Sequence, residues 1–190
     1  FGAVNVSPDS TFNTSYIYRG YSISIPKWSK LSDDNGSNVS FVSDDYIYYK
    51  DYTGNLSINI KVGVPKTYRY VTTGSVDETF YITSSLIDND EIEAYIIDDN
   101  DNILYTLTIL ERDKLKFTTD LENYYCEIAT LDDFSGIYIK LGDQVNTKII
   151  PTGSNLLIKY AETNGESDNI TVSDVLTKFN DILYDSLGNE

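Results

Sequence analysis

The chain has 190 residues, of which 41% are hydrophobic and 23% are charged, a balance that supports a folded core and excludes gross disorder. Its 30 acidic and 14 basic residues, with no histidine, give a net charge of −16 at pH 7. Such a chain repels phosphate groups, so we expect neither nucleic acid nor a membrane among its partners. A basic partner or a bound cation stays open beside a merely solvated acidic surface.

The first half of the chain favours strands, because tyrosine and β-branched residues suit pleated surfaces and the chain has 17 tyrosines. Residues 1–15 are polar and turn-rich and are interpreted as an approach segment. Tyr21, Ile23 and Ile25 then alternate with serines, and the run stops at Pro26, which cannot donate to a strand ladder. Further strands are predicted in the runs VSFVS, DYIYYKDY, LSINIKVG, KTYRYVTT and ETFYIT.

The second half continues the same pattern. The run EIEAYIIDDNDNILYTLTIL predicts a hairpin, with two apolar runs joined by an acidic turn, and EIATL, IYIKLG and NLLIKY follow as strands. Turn signals recur every few residues with almost no helical period between them. The sequence therefore predicts a mainly β fold, either an antiparallel β-sandwich or a partly open barrel. We expect a buried set comprising Ile23, Ile25, Ile58, Ile60, Ile137, Ile139 and Ile158.

The C-terminal stretch is the exception. Apolar residues recur at helical spacing over 171–183, so helix and strand both remain open there. We place the β-domain at 16–165 and a connector toward a following domain at 166–190. The chain opens on Phe1 and holds no methionine, and we expect it to be a segment of a longer protein.

Residues for familiar catalytic chemistry are missing. Without histidine there is no Ser–His–Asp or Cys–His arrangement, and zinc loses its usual ligands. The single cysteine, Cys126, lies in a strand-like run and is interpreted as a buried structural thiol, with no disulfide. Acidic residues cluster in turns, which turn chemistry explains. We predict no enzyme activity, no catalytic, cofactor-binding or metal-ligating residue and no cofactor, and the sequence does not locate an interface.

Calcium is the one metal with a partial pattern. Asp98, Asn100 and Asn102 alternate as at the start of an EF-hand loop, but Ile103 stands where that loop needs glycine and Ile109 where it needs glutamate. The match therefore fails, although a weak site between surface loops stays open.

Tyrosines also leave a binding alternative open. Tyr46 and Tyr48 share one face of a strand, while Ile47 and Tyr49 share the other. These faces suit a core, a protein contact or stacking on sugar rings.

Several runs, in this order, resemble the middle β-domain of phage baseplate wedge proteins, the baseplate J-like family of contractile tails. In YSISIPKWSKLS, Pro26 and Lys27 match a strand-end corner of that family, with Trp28 and Ser29 standing for its Gly-Thr pair and Leu31 in its apolar place. The runs VSFVSDDYIYY, INIKVGV and LIDNDEIEAYII match its next motifs.

The segment from Gly136 to Ile170 continues the resemblance. The matching positions are Gly142, Asp143, Pro151, Gly153, Tyr160, Thr163, Gly165 and Asn169. It departs from the family at Leu141, Gln144 and Asp168, which replace Phe, Gly and Gly. From the residues alone these positions suit structural corners, with a ligand site as the alternative.

The resemblance implies a structural, non-enzymatic component of a tail baseplate wedge. Such a component would be made in the host cytoplasm, reside in the virion, help assemble the inner baseplate ring and relay the trigger for sheath contraction. Its partners would be other copies of itself and other wedge proteins, and the isolated segment is expected to be monomeric. The alternative is a glycan- or receptor-binding β-module of a tail or surface protein, and an enzyme's accessory domain comes third.

Overall fold

The computed structural model describes residues 4–5, 11–17, 23–32, 39–48, 53–143, 145–163, 175–176 and 178–179. These residues form seventeen strands and one turn of 3-10 helix, Leu115–Phe117. The strands are β1 Val4–Asn5, β2 Thr11–Ile17, β3 Ile23–Ile25, β4 Lys30–Ser32, β5 Val39–Val42, β6 Tyr46–Tyr48, β7 Thr53–Val62, β8 Val64–Val71, β9 Thr79–Ile82, β10 Ile87–Ile97, β11 Ile103–Thr106, β12 Thr108–Leu110, β13 Tyr125–Thr130, β14 Ile137–Leu141, β15 Asn155–Glu162, β16 Val175–Leu176 and β17 Lys178–Phe179.

The predicted mainly β fold is confirmed, and the alternation of apolar and polar residues sets the burial. β9 and β14 bury every second side chain. Of the predicted buried set, six isoleucines are buried, while the side chain of Ile23 lies outside the described residues. Within the described residues, no helix is long and apolar enough to cross a membrane.

The chain forms two compact units, one of residues Phe1–Pro65 with Thr163–Glu190 and one of residues Lys66–Glu162. The placement of one β-domain at 16–165 and a connector at 166–190 stays a prediction from the sequence. Of the segments 1–15 and 166–190, the described residues 4–5, 11–15, 175–176 and 178–179 lie in the first unit. The predicted strands LSINIKVG and KTYRYVTT are separated by Val64-Pro65, close to this division, although both runs alternate in the same way and neither indicates which unit it belongs to.

The first unit is built on an antiparallel five-stranded sheet in the order β17-β4-β5-β7-β2, beside the pairs β3-β6 and β1-β16. Its buried residues include Leu31, Phe41, Val42, Ile58 and Ile60. In the stretch left open between helix and strand, residues 175–176 and 178–179 are strands; the rest of 171–183 lies outside the described residues.

The second unit is a β-sandwich. One sheet has the order β11-β10-β15-β8 and the other the order β12-β13-β14-β9. Apolar residues of both sheets form its core, namely Phe80, Ile82, Ala94, Ile96, Leu107, Cys126, Ile128, Ile137, Ile139, Leu141, Ile150, Leu156, Ile158 and Tyr160. Cys126 is fully buried, as expected, and burial raises the pKa of its thiol to about 12.

At one side of the sandwich the run 103–110 passes from one sheet to the other, with β11 in the first sheet and β12 in the second. β11 pairs antiparallel with β10, which confirms the first part of the predicted hairpin. The second part of the prediction is corrected, because β12 leaves β10 and pairs with β13, and that pairing is parallel. Leu107 lies between the two strands and is buried, and burial of this side chain accounts for the change of sheet.

Candidate functional site

The strand β11 carries an exposed apolar backbone edge in the second unit. All four of its residues are exposed, and Ile103, Leu104 and Tyr105 keep 51%, 53% and 53% of their surface. β11 ends its sheet, and no described strand pairs with its other side. The run from Ile103 to Leu110 contains no charged residue and no proline, two of the devices that protect such edges. We call Ile103–Thr106 the open edge.

The ladder between β10 and β11 fixes which backbone groups of the open edge point outward. The backbone N–H of Leu107 donates to the carbonyl of Ala94 at 2.8 Å. Hydrogen-bonded pairs alternate along an antiparallel ladder. The backbone N–H and C=O of Tyr105 therefore also point toward β10, whereas the N–H and C=O of Thr106 point away from it. Thr106 therefore offers a donor and an acceptor to an added strand.

A bulge sets Leu104 apart from its neighbours. Ile103 lies opposite Ile97 and Tyr105 lies opposite Ile96, so Leu104 is the extra residue between them. Its exposed side chain is therefore not part of the regular ladder.

An aromatic rim borders the open edge. The ring of Tyr105 meets that of Tyr124 edge-on, with centroids 5.2 Å apart. The ammonium of Lys148 lies 4.4 Å from the centroid of Tyr124 and donates to the carbonyl of Glu122 at 3.4 Å. The rim fixes Tyr105 in place and links the open edge to the loop 120–123.

The turn 98–102 at the start of the open edge is the place where a partial calcium pattern occurs. The carboxylate of Asp98 accepts hydrogen bonds from the side-chain amide of Asn102 and from the backbone N–H groups of Asn102 and Asn100. These bonds lower the pKa of Asp98, and the bond from the side-chain amide of Asn102 has the largest effect. Asp101 forms a bidentate pair with Arg69 at 2.7 and 2.8 Å. The carboxylate of Asp98 thus stabilises the turn itself, and that of Asp101 connects the turn to Arg69 on β8. Within the described part of the chain, no three acidic or cysteine side chains gather as a metal site requires.

The corner at Gly142 and Asp143 closes on itself. A Cβ at position 142 would overlap the carbonyl oxygen of Lys148 and lie 2.7 Å from Oγ1 of Thr147, so only glycine fits there. Burial raises the pKa of Asp143, but the backbone N–H groups of Asn146, Val145 and Thr147 and the amide of Asn146 donate to its carboxylate and bring the pKa down to about 2.

The corner at Pro151 and Gly153 is tied to the end of β8. Gly153 has a φ of 79°, the left-handed conformation that glycine accepts without strain. Its N–H donates to the carbonyl of Thr72, and the hydroxyl of Thr72 donates to the carbonyl of Pro151 at 2.6 Å. As at the previous corner, the polar groups named here form hydrogen bonds within the second unit. Gly165 and Asn169 lie outside the described residues.

The corner after β3 has a left-handed residue where the resembled family has glycine. Trp28 adopts a φ of 73°, and its ring stacks on the buried ring of Phe41 at 5.0 Å. The N–H of Trp28 donates to the carbonyl of Val42, and the N–H of Val42 donates to the carbonyl of Ser29. A tryptophan at positive φ is strained, and the stacking on Phe41 offsets that strain.

The tyrosines considered for sugar stacking serve other contacts where they are described. The hydroxyl of Tyr46 accepts the backbone N–H of Asn59 at 2.7 Å, while the side chains of Ile47, Tyr48 and Tyr49 lie outside the described residues. Tyr68 and Tyr70 stack on the buried ring of Phe80 in the second unit.

The open edge is a candidate interaction surface that the sequence did not single out. In the sequence, the only indication of this edge is that the run 103–110 carries no charge. Whether the run is exposed depends on which strand lies at the end of the sheet, and the sequence does not give the strand order. No family model matches the chain, and no curated protein matches it.

Proposed function

We propose that this chain is a structural β-module of a phage tail baseplate wedge. In that role it helps assemble the inner baseplate ring and relays the trigger for sheath contraction. It is non-enzymatic, is made in the host cytoplasm and resides in the virion. Its partners are other wedge proteins and further copies of the same protein within the ring, while the isolated chain stays monomeric.

The observation that carries an assembly role is the open edge. A strand that ends a sheet with exposed isoleucine, leucine and tyrosine side chains is a template for another chain. Charge and proline, which often block such strands, are both absent from 103–110, while the short length of β11 and its bulge at Leu104 limit pairing between isolated copies of the chain.

The baseplate assignment rests on the resemblance, and two corners are consistent with it. Trp28 stands at a family glycine and adopts a conformation typical of glycine. Gly142 matches a family glycine and lies where a side chain would meet backbone. Both features accord with a structural use of these motifs.

Immunogold electron microscopy tests the proposal. An antibody raised against the purified chain is applied to particles released from cells that make the protein, with antibody preadsorbed on the chain as control. We expect gold at the baseplate, at the end of the contractile sheath. Gold at the tips of tail fibres would favour the receptor-binding alternative, and particles without gold would contradict a virion location.

A further inference from the structure

We propose that the open edge binds an extended segment of a different protein, which adds as a strand beside β11 and carries basic residues on both sides of an uncharged core. This inference deepens the proposed assembly role and rests on it for the existence of such a partner. Beyond that role, the inference specifies the backbone conformation of the partner and the sign of its charge.

The conformation follows from the outward groups of the edge. Thr106 directs its N–H and C=O away from β10, so a partner gains main-chain hydrogen bonds only if its own backbone is extended alongside. The exposed side chains of Ile103 and Leu104 and the ring of Tyr105 favour apolar or small residues in the partner's core. Affinity would thus come from a ladder together with apolar burial.

The charge follows from the groups around the edge. The turn before it carries Asp98, Asp99 and Asp101, of which Asp101 is paired with Arg69. The loop reached through Tyr124 carries Asp120 and Glu122, with the ammonium of Lys148 beside it. Five carboxylates therefore stand against two cationic side chains, and this excess attracts lysine or arginine.

The same charges disfavour a second copy as the occupant. Two copies paired through β11 would bring two acidic surroundings together, and each chain carries a net charge of −16. A basic segment from another protein has the opposite sign and meets no such repulsion.

The test uses two labelled peptides and the full 190-residue chain. The probe is Lys-Lys-Val-Thr-Val-Thr-Val-Thr-Lys-Lys, and its matched control has glutamate in place of every lysine. By fluorescence anisotropy at low salt we expect the lysine peptide to bind with a dissociation constant of about 10–100 μM and the glutamate peptide at least about tenfold more weakly. The difference should shrink in about 0.5 M salt, because screening weakens exposed charge pairs.

Two pairs of variants locate the binding. Thr106→Pro removes an outward N–H without removing a bond to β10, and it should weaken binding of the lysine peptide about tenfold, while Thr106→Val keeps the N–H and the affinity. Should Thr106→Pro fail to fold by circular dichroism, Leu104→Lys decides instead, since this exposed bulge residue tolerates substitution. It should weaken the lysine peptide several-fold and strengthen the glutamate peptide.

Three results would overturn the inference. They are equal binding of both peptides, unchanged binding to the folded edge variants, and a dimer of the free chain that Thr106→Pro or Leu104→Lys abolishes. Such results leave the baseplate location untouched, because gold labelling tests that location separately. Conversely, charge-selective binding at the edge would stand if the labelling placed the protein elsewhere.

Discussion

Two glycines of the C-terminal motifs should respond differently to the same substitution, alanine. At Gly142 an added Cβ meets the backbone oxygen of Lys148 and lies 2.7 Å from Oγ1 of Thr147, so part of the corner must move. Forcing a methyl group into packed structure costs about 1–3 kcal/mol, and a backbone neighbour favours the upper end. We therefore expect Gly142→Ala to lower the free energy of unfolding of the second unit by about 3 kcal/mol.

At Gly153 the destabilisation expected from alanine comes from the backbone conformation. Nothing lies within 4 Å of an added Cβ, but φ is 79°. The left-handed conformation costs alanine about 1–2 kcal/mol, and a less flexible unfolded chain returns about 0.4–1 kcal/mol. Gly153→Ala should therefore cost about 0–1.6 kcal/mol, and Gly153→Asn less, since asparagine tolerates this conformation.

The single cysteine provides the assay. Cys126 is buried and lies opposite Leu141 in the ladder, so its thiol is protected until the second unit opens. Thiol labelling across a urea gradient gives the free energy of opening for each variant. A Gly142→Ala variant that is as stable as Gly153→Ala, or more stable, would refute the assignment of different causes.

Other expectations follow from single contacts. Trp28→Gly should leave the first unit about 1 kcal/mol more stable than Trp28→Ala in urea unfolding followed by circular dichroism, because both lose the stacking on Phe41 but only glycine accepts a φ of 73°; equal stabilities would contradict this. Ile139→Ala removes a fully buried side chain and should cost about 2–5 kcal/mol by Cys126 labelling, whereas the exposed Tyr81→Ala on the neighbouring strand should cost much less. The pKa of Asp143 is about 2 when folded, below its ordinary value, so its contribution is complete above about pH 4 and is lost as the pH falls toward 2. The stability gap between the native chain and Asp143→Ala should narrow over that range, and a constant gap would argue against the shift.

Much of the fold could be predicted because burial in this chain follows the alternation of its strands. Ile58 and Ile60 are buried on either side of an exposed Asn59, and Ile137 and Ile139 are buried around a half-buried Tyr138. A period of two is a local signal that needs no knowledge of partners.

The partners of each strand could not be predicted in the same way. β7 and β8 alternate in the same way and are separated by a single residue, yet they belong to different sheets. The run 103–110 looks like one strand, yet burial of Leu107 divides it between two sheets. The open edge depends on that division, because only the final strand order leaves β11 without a second neighbour among the described residues.

Site-specific photo-crosslinking in the assembled particle tests the use of the open edge most directly. A benzoylphenylalanine placed at Leu104 is compared with one at Val76, a residue of similar exposure in the turn before β9. After irradiation of purified particles, we predict an adduct between position 104 and another baseplate protein, with a basic extended segment at the crosslinked site, and no such adduct from position 76. If position 104 gave no adduct, or an adduct only with a second copy of this chain, the result would contradict the account.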